Sequence, residues 1–138
     1  MKKALARGRT WLIKPNVREL SELVGENIPN RVDKLSQAGK LLLNRVEIIL
    51  ISRGEKGAII LSQDAILRGR CISSGQPVVS TVGCGDYLLA GFLKAMTEKQ
   101  RLEMALKTAV QAATAKAWGW SDSMSWSQVA SKIKVNIC

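Results

Sequence analysis

Apolar positions in this chain follow two periods, and the switches between them mark its elements. Trp11-Leu12-Ile13 ahead of Lys14-Pro15-Asn16 reads as a short buried strand ended by proline, since residue 14 is pushed to extended geometry and Pro15 offers no ladder N–H. A short helix is expected from there to about Val24, closed at Gly25. From Pro29, suited to a first helical turn, Val32, Leu35, Ala38, Leu42 and Val46 recur at helical spacing. Residues 47–52 are too few and too β-branched for a helix, and their nearly unbroken apolar run predicts a strand covered on both faces. A turn at 53–57 and a strand pair at 58–61 and 65–70 follow, then a loop at 73–77.

Beyond the loop, Leu88, Leu89, Phe92, Leu93 and Met96 share one helical face, and Leu102, Ala105, Leu106, Ala109, Ala112, Ala113 and Ala117 share another. The polar stretch 97–101 between them predicts a hairpin whose alanines allow close approach. Strands alternating with helices indicate an α/β fold with a mainly parallel sheet. No internal repeat, low-complexity tract or linker interrupts it.

Composition narrows the chemistry. With 46% apolar and 23% charged residues, 138 residues suit one globular unit and not a disordered chain. The formal net charge of +10 is compatible with nucleic acid, an anionic membrane or a phosphorylated small molecule as partner. That charge is spread along the chain, with no basic tail, and the aromatic residues do not interleave with the basic ones as a single-strand stacking surface requires. Histidine is absent, which excludes His general bases, Ser-His-Asp and Cys-His systems and His-bound zinc. Cys71, Cys84 and Cys138 are odd in number and unpatterned, as in a reducing compartment, so a cytoplasmic location is expected. Met1-Lys2-Lys3 opens like a signal peptide, yet no apolar run of useful length follows and no segment is long enough to span a membrane.

The residues most informative about chemistry run from Ser80 to Leu93. Gly83 and Gly85 permit a tight turn, and a helix beginning near Asp86 would present unpaired amides and its positive dipole end. Such a turn binds anions, phosphate above all. A carboxylate there repels ground-state phosphate, but it has a use if Asp86 takes the proton of an attacking hydroxyl while the amides of Gly83, Cys84 and Gly85 hold the developing charge. The plainer alternative makes Asp86 a helix N-cap and the glycines ordinary turn residues.

The run Ser80-Thr81-Val82-Gly83-Cys84-Gly85-Asp86-Tyr87-Leu88-Leu89-Ala90-Gly91 resembles the C-terminal signature of the ribokinase-like (PfkB-type) carbohydrate kinases. Two further segments are similar to that family's and stand in its order: Lys14-Pro15-Asn16-Val17-Arg18-Glu19-Leu20, and Ser52-Arg53-Gly54-Glu55-Lys56-Gly57. The resemblance implies a three-layer α/β/α arrangement, ATP and Mg²⁺ as cofactors, and transfer of the γ-phosphoryl of ATP to a sugar or sugar phosphate with Asp86 as base. It implies that Gly83, Cys84 and Gly85 form the anion hole, and that Asn16, Ser52, Gly54, Gly57, Gly85 and Ala112 contact the nucleotide. It further implies that Asn16 and Glu19 organise magnesium through water. Ser80 in place of the commoner Asp, with Ile-Lys-Pro-Asn at 13–16, is similar to the family's kinases of fructose 1-phosphate and tagatose 6-phosphate.

Departures from the family pattern carry their own expectations. Arg53 stands where an apolar residue is usual and is expected to be solvated, with phosphate contact as the alternative. Cys84 replaces Ala, as a small space-filler or as a thiol of lowered pKa at a helix start. Among Trp11, Trp118, Trp120 and Trp126, packing is favoured over nucleic-acid stacking, and past Ala117 the family pattern is lost. Family members run to around twice this length and hold the sugar site in their N-terminal half, which has no counterpart here. The chain is therefore expected to be the C-terminal ATP-binding and catalytic portion of such a kinase. The partners expected are ATP and a sugar or sugar phosphate, with a homodimer allowed and no nucleic acid or membrane. A non-catalytic nucleotide-binding fragment is the first rival, and a basic nucleic-acid binder the second.

Overall fold

The short apolar runs become strands and the amphipathic ones helices in a computed structural model that describes residues 8–72, 78–119 and 126–138. In chain order the elements are β1 (Thr10–Ile13), α1 (Val17–Val24), α2 (Val32–Lys40), β2 (Val46–Ser52), a 3₁₀ turn (Gly54–Lys56), β3 (Ala58–Leu61) and β4 (Ile66–Cys71). After these come α3 (Cys84–Thr97), α4 (Leu102–Ala117), α5 (Trp126–Ala130) and β5 (Ile133–Ile137). The expected loop at 73–77 lies outside the described residues. Two compact units divide the chain: residues up to Gly54 with Ala58–Arg68 and Ile137–Cys138, and Glu55–Gly57 with Gly69–Asn136.

The first unit is organised around β2. Its register with β1 is parallel, Leu12 opposite Ile48 and Ile13 opposite Ile49, and with β3 antiparallel, Leu50 opposite Ile60. Ile49, Ile51, Ile59 and Leu61 join Leu20 of α1 and Leu35 and Ala38 of α2 in one core cluster. Ile48, Leu50 and Ile60 on the other strand faces are buried as well, which accounts for the unbroken apolar run.

Strand order follows chain order, β1-β2-β3-β4-β5. The α/β class stands, but the sheet is mostly antiparallel and not mainly parallel. Connection length decides this: β2, β3 and β4 are joined by a few residues each, and a parallel pairing needs a crossover of a dozen or more. Of these first four strands, β1 and β2 have one, bridged by α1 and α2. Two helix boundaries also move. Pro29 lies ahead of α2, whose first residue is Val32, and α2 stops at Lys40. Leu42 falls in the turns after it and Val46 opens β2, because pairing with Thr10 outweighs the helical spacing.

The second unit is centred on the α3–α4 hairpin. Leu88, Phe92 and Ala95 pack with Ala105, Leu106 and Ala109 as its buried side. A Cβ on Gly91 would stand 2.8 Å from the Thr108 carbonyl oxygen and 3.0 Å from Ala109 Cα, so the two backbones touch there. Leu93, expected on the apolar face, is 37% exposed; the small Gly91 and Ala95 occupy the contact instead. Among the described residues no helix is long and apolar enough to cross a membrane.

Candidate active site

In the first unit the ends of the parallel strands bring two of the sequence motifs together. The Ser52 N–H donates to the Pro15 carbonyl at 3.0 Å, and Asn16 and Ser52 form an isolated parallel bridge just past β1. Carboxyl ends of parallel strands are where open α/β sheets place ligands. Asn16 also caps α1. Its Oδ1 accepts from the Glu19 N–H at 2.8 Å, while Glu19 Oε1 accepts from the Asn16 N–H at 3.0 Å. This capping box uses one carboxylate oxygen of Glu19 and leaves the other for a ligand. Mg²⁺ keeps several waters and takes one or two carboxylates plus substrate phosphates, so a lone carboxylate oxygen fits it better than a protein cage would. Among the described residues no cluster of three or more His, Cys, Asp or Glu exists.

Arg53 overturns its expectation of solvation. It is 8% exposed, and its Nε donates to Asn30 Oδ1 at 2.9 Å. Burial, and then the like charge of Arg68, lower its pKa, with Cys138 opposing. Gly54 belongs to this unit. Gly57 belongs to the second, pressed against the Gly69 carbonyl, where no Cβ could fit.

The second unit carries the remaining candidates. The helix starts earlier than the sequence suggests: Gly83 is the N-cap of α3, and Tyr87 N–H to Gly83 carbonyl, 3.0 Å, is the first helical bond. Gly83 adopts φ +80°, a left-handed conformation that L side chains resist. Asp86 is therefore the third residue of the helix and not its N-cap, and no side chain caps Gly83. Its carboxylate is exposed in the first turn, making no hydrogen bond or ion pair among the described residues. The Cys84 N–H donates to the Thr81 carbonyl at 3.2 Å. Of the first-turn amides, those of Gly85 and Asp86 remain directed out of the helix end.

The Cys84 thiol donates to the Ser80 carbonyl at 3.8 Å, and burial raises its pKa, opposed by Lys116. Both observations favour the small space-filler over the thiol of lowered pKa. Lys116, in the last turn of α4, escaped sequence reasoning. Its Nζ sits 5.9 Å from the centre of the Tyr87 ring, and its Cε lies 3.7 Å from where a Cβ on Gly83 would stand. The only signal in the sequence is a cation set in the otherwise small and apolar run 112–117. Lys116, Tyr87, Lys94, Thr108, Ala112 and Trp126 line a cleft of about 590 Å³. The Trp126 carbonyl accepts from buried Gln111 at 2.7 Å, and Trp118 lies under Lys132 Nζ at 5.8 Å. Trp11 is 45% exposed and Trp120 lies outside the described residues.

A family model described as pfkB family carbohydrate kinase matches residues 1–117, ending where the sequence pattern was seen to stop. The chain is 28% identical over 135 residues to the 1-phosphofructokinase of Haemophilus influenzae, an alignment covering 95% of this chain and 43% of that protein. Phosphofructokinase-2 from Escherichia coli, solved in complex with substrates and products, superposes with a TM-score of 0.80 at 25% identity. That match covers 95% of this chain and 42% of the other. The ribokinase of Arabidopsis thaliana complexed with ribose and ATP superposes with a TM-score of 0.72 at 30% identity, covering 88% and 40%. The chain thus spans less than half the length of each, and its α/β fold is similar to the corresponding part of these kinases.

Proposed function

Because the chain belongs to the pfkB family of carbohydrate kinases, we propose that it takes part in transfer of the ATP γ-phosphoryl to a hydroxyl of a sugar phosphate, fructose 1-phosphate or tagatose 6-phosphate. The observation that carries this reading is the turn 83–85 with Asp86 exposed in the first turn of a 14-residue helix. Amides and dipole there stabilise negative charge, while the carboxylate stands ready as a base. The substrate hydroxyl gives its proton to Asp86 and its oxygen bonds to the γ-phosphorus. The bond from that phosphorus to the bridging oxygen breaks, and ADP leaves. Of the turn Gly83, Cys84 and Gly85, the Cys84 N–H is taken by the Thr81 carbonyl, so the Gly85 amide, with that of Asp86 beside it, holds the charge on the transferring group.

The hexose-phosphate branch is supported by the name of the Haemophilus relative and by the basic balance of the chain. On the first unit, Asn16, Ser52 and Gly54 are assigned to the nucleotide, with Asn16 and Glu19 holding magnesium through water. On the second, Gly57, Gly85 and Ala112 are assigned to it. Mg²⁺, when bound, neutralises charge on the phosphates.

Titrating the full chain with MgATP, then following ADP release with and without fructose 1-phosphate, tests the proposal. Binding of ATP and sugar-phosphate-dependent ADP release are expected. Binding without turnover leaves the nucleotide-binding reading alone standing, and no ATP binding removes both.

A further inference from the structure

Lys116 approaches the glycine turn from a different helix. No salt bridge engages it among the described residues, and its aliphatic stem passes beside Gly83. Its ammonium lies over the face of Tyr87, at 5.9 Å. It is half-buried at the N-terminal end of α3, where the helix dipole is itself positive, so two like potentials meet at one place. The same ammonium acts electrostatically on Cys84, inside the turn. An anion at the turn relieves the arrangement, and the cation then strengthens the hold on it.

We propose that Lys116 binds the terminal phosphoryl oxygens of ATP at the turn 83–85, as a specificity-determining residue of the phosphoryl-transfer reaction. The inference rests on the kinase reading above. A lysine serves as a mobile point charge that follows a phosphoryl group between donor and acceptor, a different role from fixed backbone amides.

Two measurements on the full chain decide it. In calorimetric titration, Lys116→Met is expected to weaken ATP at least tenfold and leave AMP unchanged, with Lys116→Arg restoring most of the loss. In mass-resolved alkylation by iodoacetamide, pyrophosphate is expected to protect Cys84 in the unmodified chain and not in Lys116→Met; the arm using the unmodified chain needs no variant to fold. If ATP binds the unmodified chain and Lys116→Met binds it within twofold, or if pyrophosphate leaves Cys84 unprotected, this inference falls while the kinase reading survives. If the unmodified chain binds neither ATP nor pyrophosphate, both fall.

Discussion

Asn16 and Glu19 bond each other twice, side chain to backbone in both directions, at 2.8 and 3.0 Å. The same pair is assigned both to closing the first turn of α1 and to magnesium, and the two roles separate by substitution. Asn16→Ala removes the cap and should cost about 1 kcal/mol in stability. Glu19→Gln keeps an oxygen for the Asn16 N–H but removes the charge. Its thermal midpoint should stay near that of the unmodified chain while the magnesium dependence of ATP binding weakens. Equal magnesium dependence in both chains would leave Glu19 with the cap alone.

Asp86 stands in the first turn of α3 and caps nothing. Asp86→Asn should therefore leave the fold intact, losing at most the fraction of a kcal/mol that a carboxylate gains near a helix N-terminus, about 0.3–1. Phosphoryl transfer should fall by about 10²- to 10⁴-fold, the usual contribution of a general base. ADP release with fructose 1-phosphate reads the loss, and ATP titration should show affinity largely retained. Full turnover by the variant would assign the base elsewhere.

Arg53 is buried with Asn30 as its partner, so removing that partner should cost more than a surface change does. Asn30→Ala leaves the Arg53 Nε–H without its acceptor and is expected to destabilise by about 1–3 kcal/mol. Asn30→Asp supplies an acceptor and a countercharge against the like charge of Arg68, and should recover most of that loss. Urea denaturation of the three chains gives the comparison. Equal stability of Asn30→Ala and the unmodified chain would mean that water reaches the guanidinium.

Gly91 lies where α3 and α4 touch. An added Cβ meets the Thr108 carbonyl oxygen at 2.8 Å and Ala109 Cα at 3.0 Å, backbone atoms that a rotamer change cannot clear. Gly91→Ala should therefore lose about 1–3 kcal/mol in spite of the better helix propensity of alanine. A thermal midpoint equal to or above that of the unmodified chain would show that the hairpin can open without penalty.

Much of this was legible in the sequence because it is local. Proline after Lys14 ended β1, β-branched residues made β2, and alanines spaced along one face made the close hairpin. What escaped depends on partners distant in the chain. The helical spacing through Leu42 and Val46 was overruled by strand pairing with Thr10, and Arg53 read as solvated because nothing in its own segment points to Asn30. Among the candidate residues, the Gly-Cys-Gly-Asp turn announced itself by type and spacing. Lys116 did not, since a lysine in an alanine-rich helix looks like any solvated charge until the fold sets it beside Gly83.

Cys84 gives the molecule a pH dependence of known sign. Burial raises its thiol pKa in the folded chain, with Lys116 pulling the other way. The folded state therefore keeps this proton to higher pH than the unfolded state does. Stability from the group is fully present below the unfolded thiol pKa, about 8.5, and is lost as pH rises from there toward the folded value. Replacing Cys84 by Ala should flatten the alkaline fall of the thermal midpoint, whereas Lys116→Met, which removes the opposing charge and lets the pKa climb further, should steepen it. Both follow from midpoints measured between pH 7 and pH 10, about the span in which thiols ionise. Parallel curves for the Cys84→Ala and unmodified chains would show that folding leaves the thiol pKa where the unfolded chain has it.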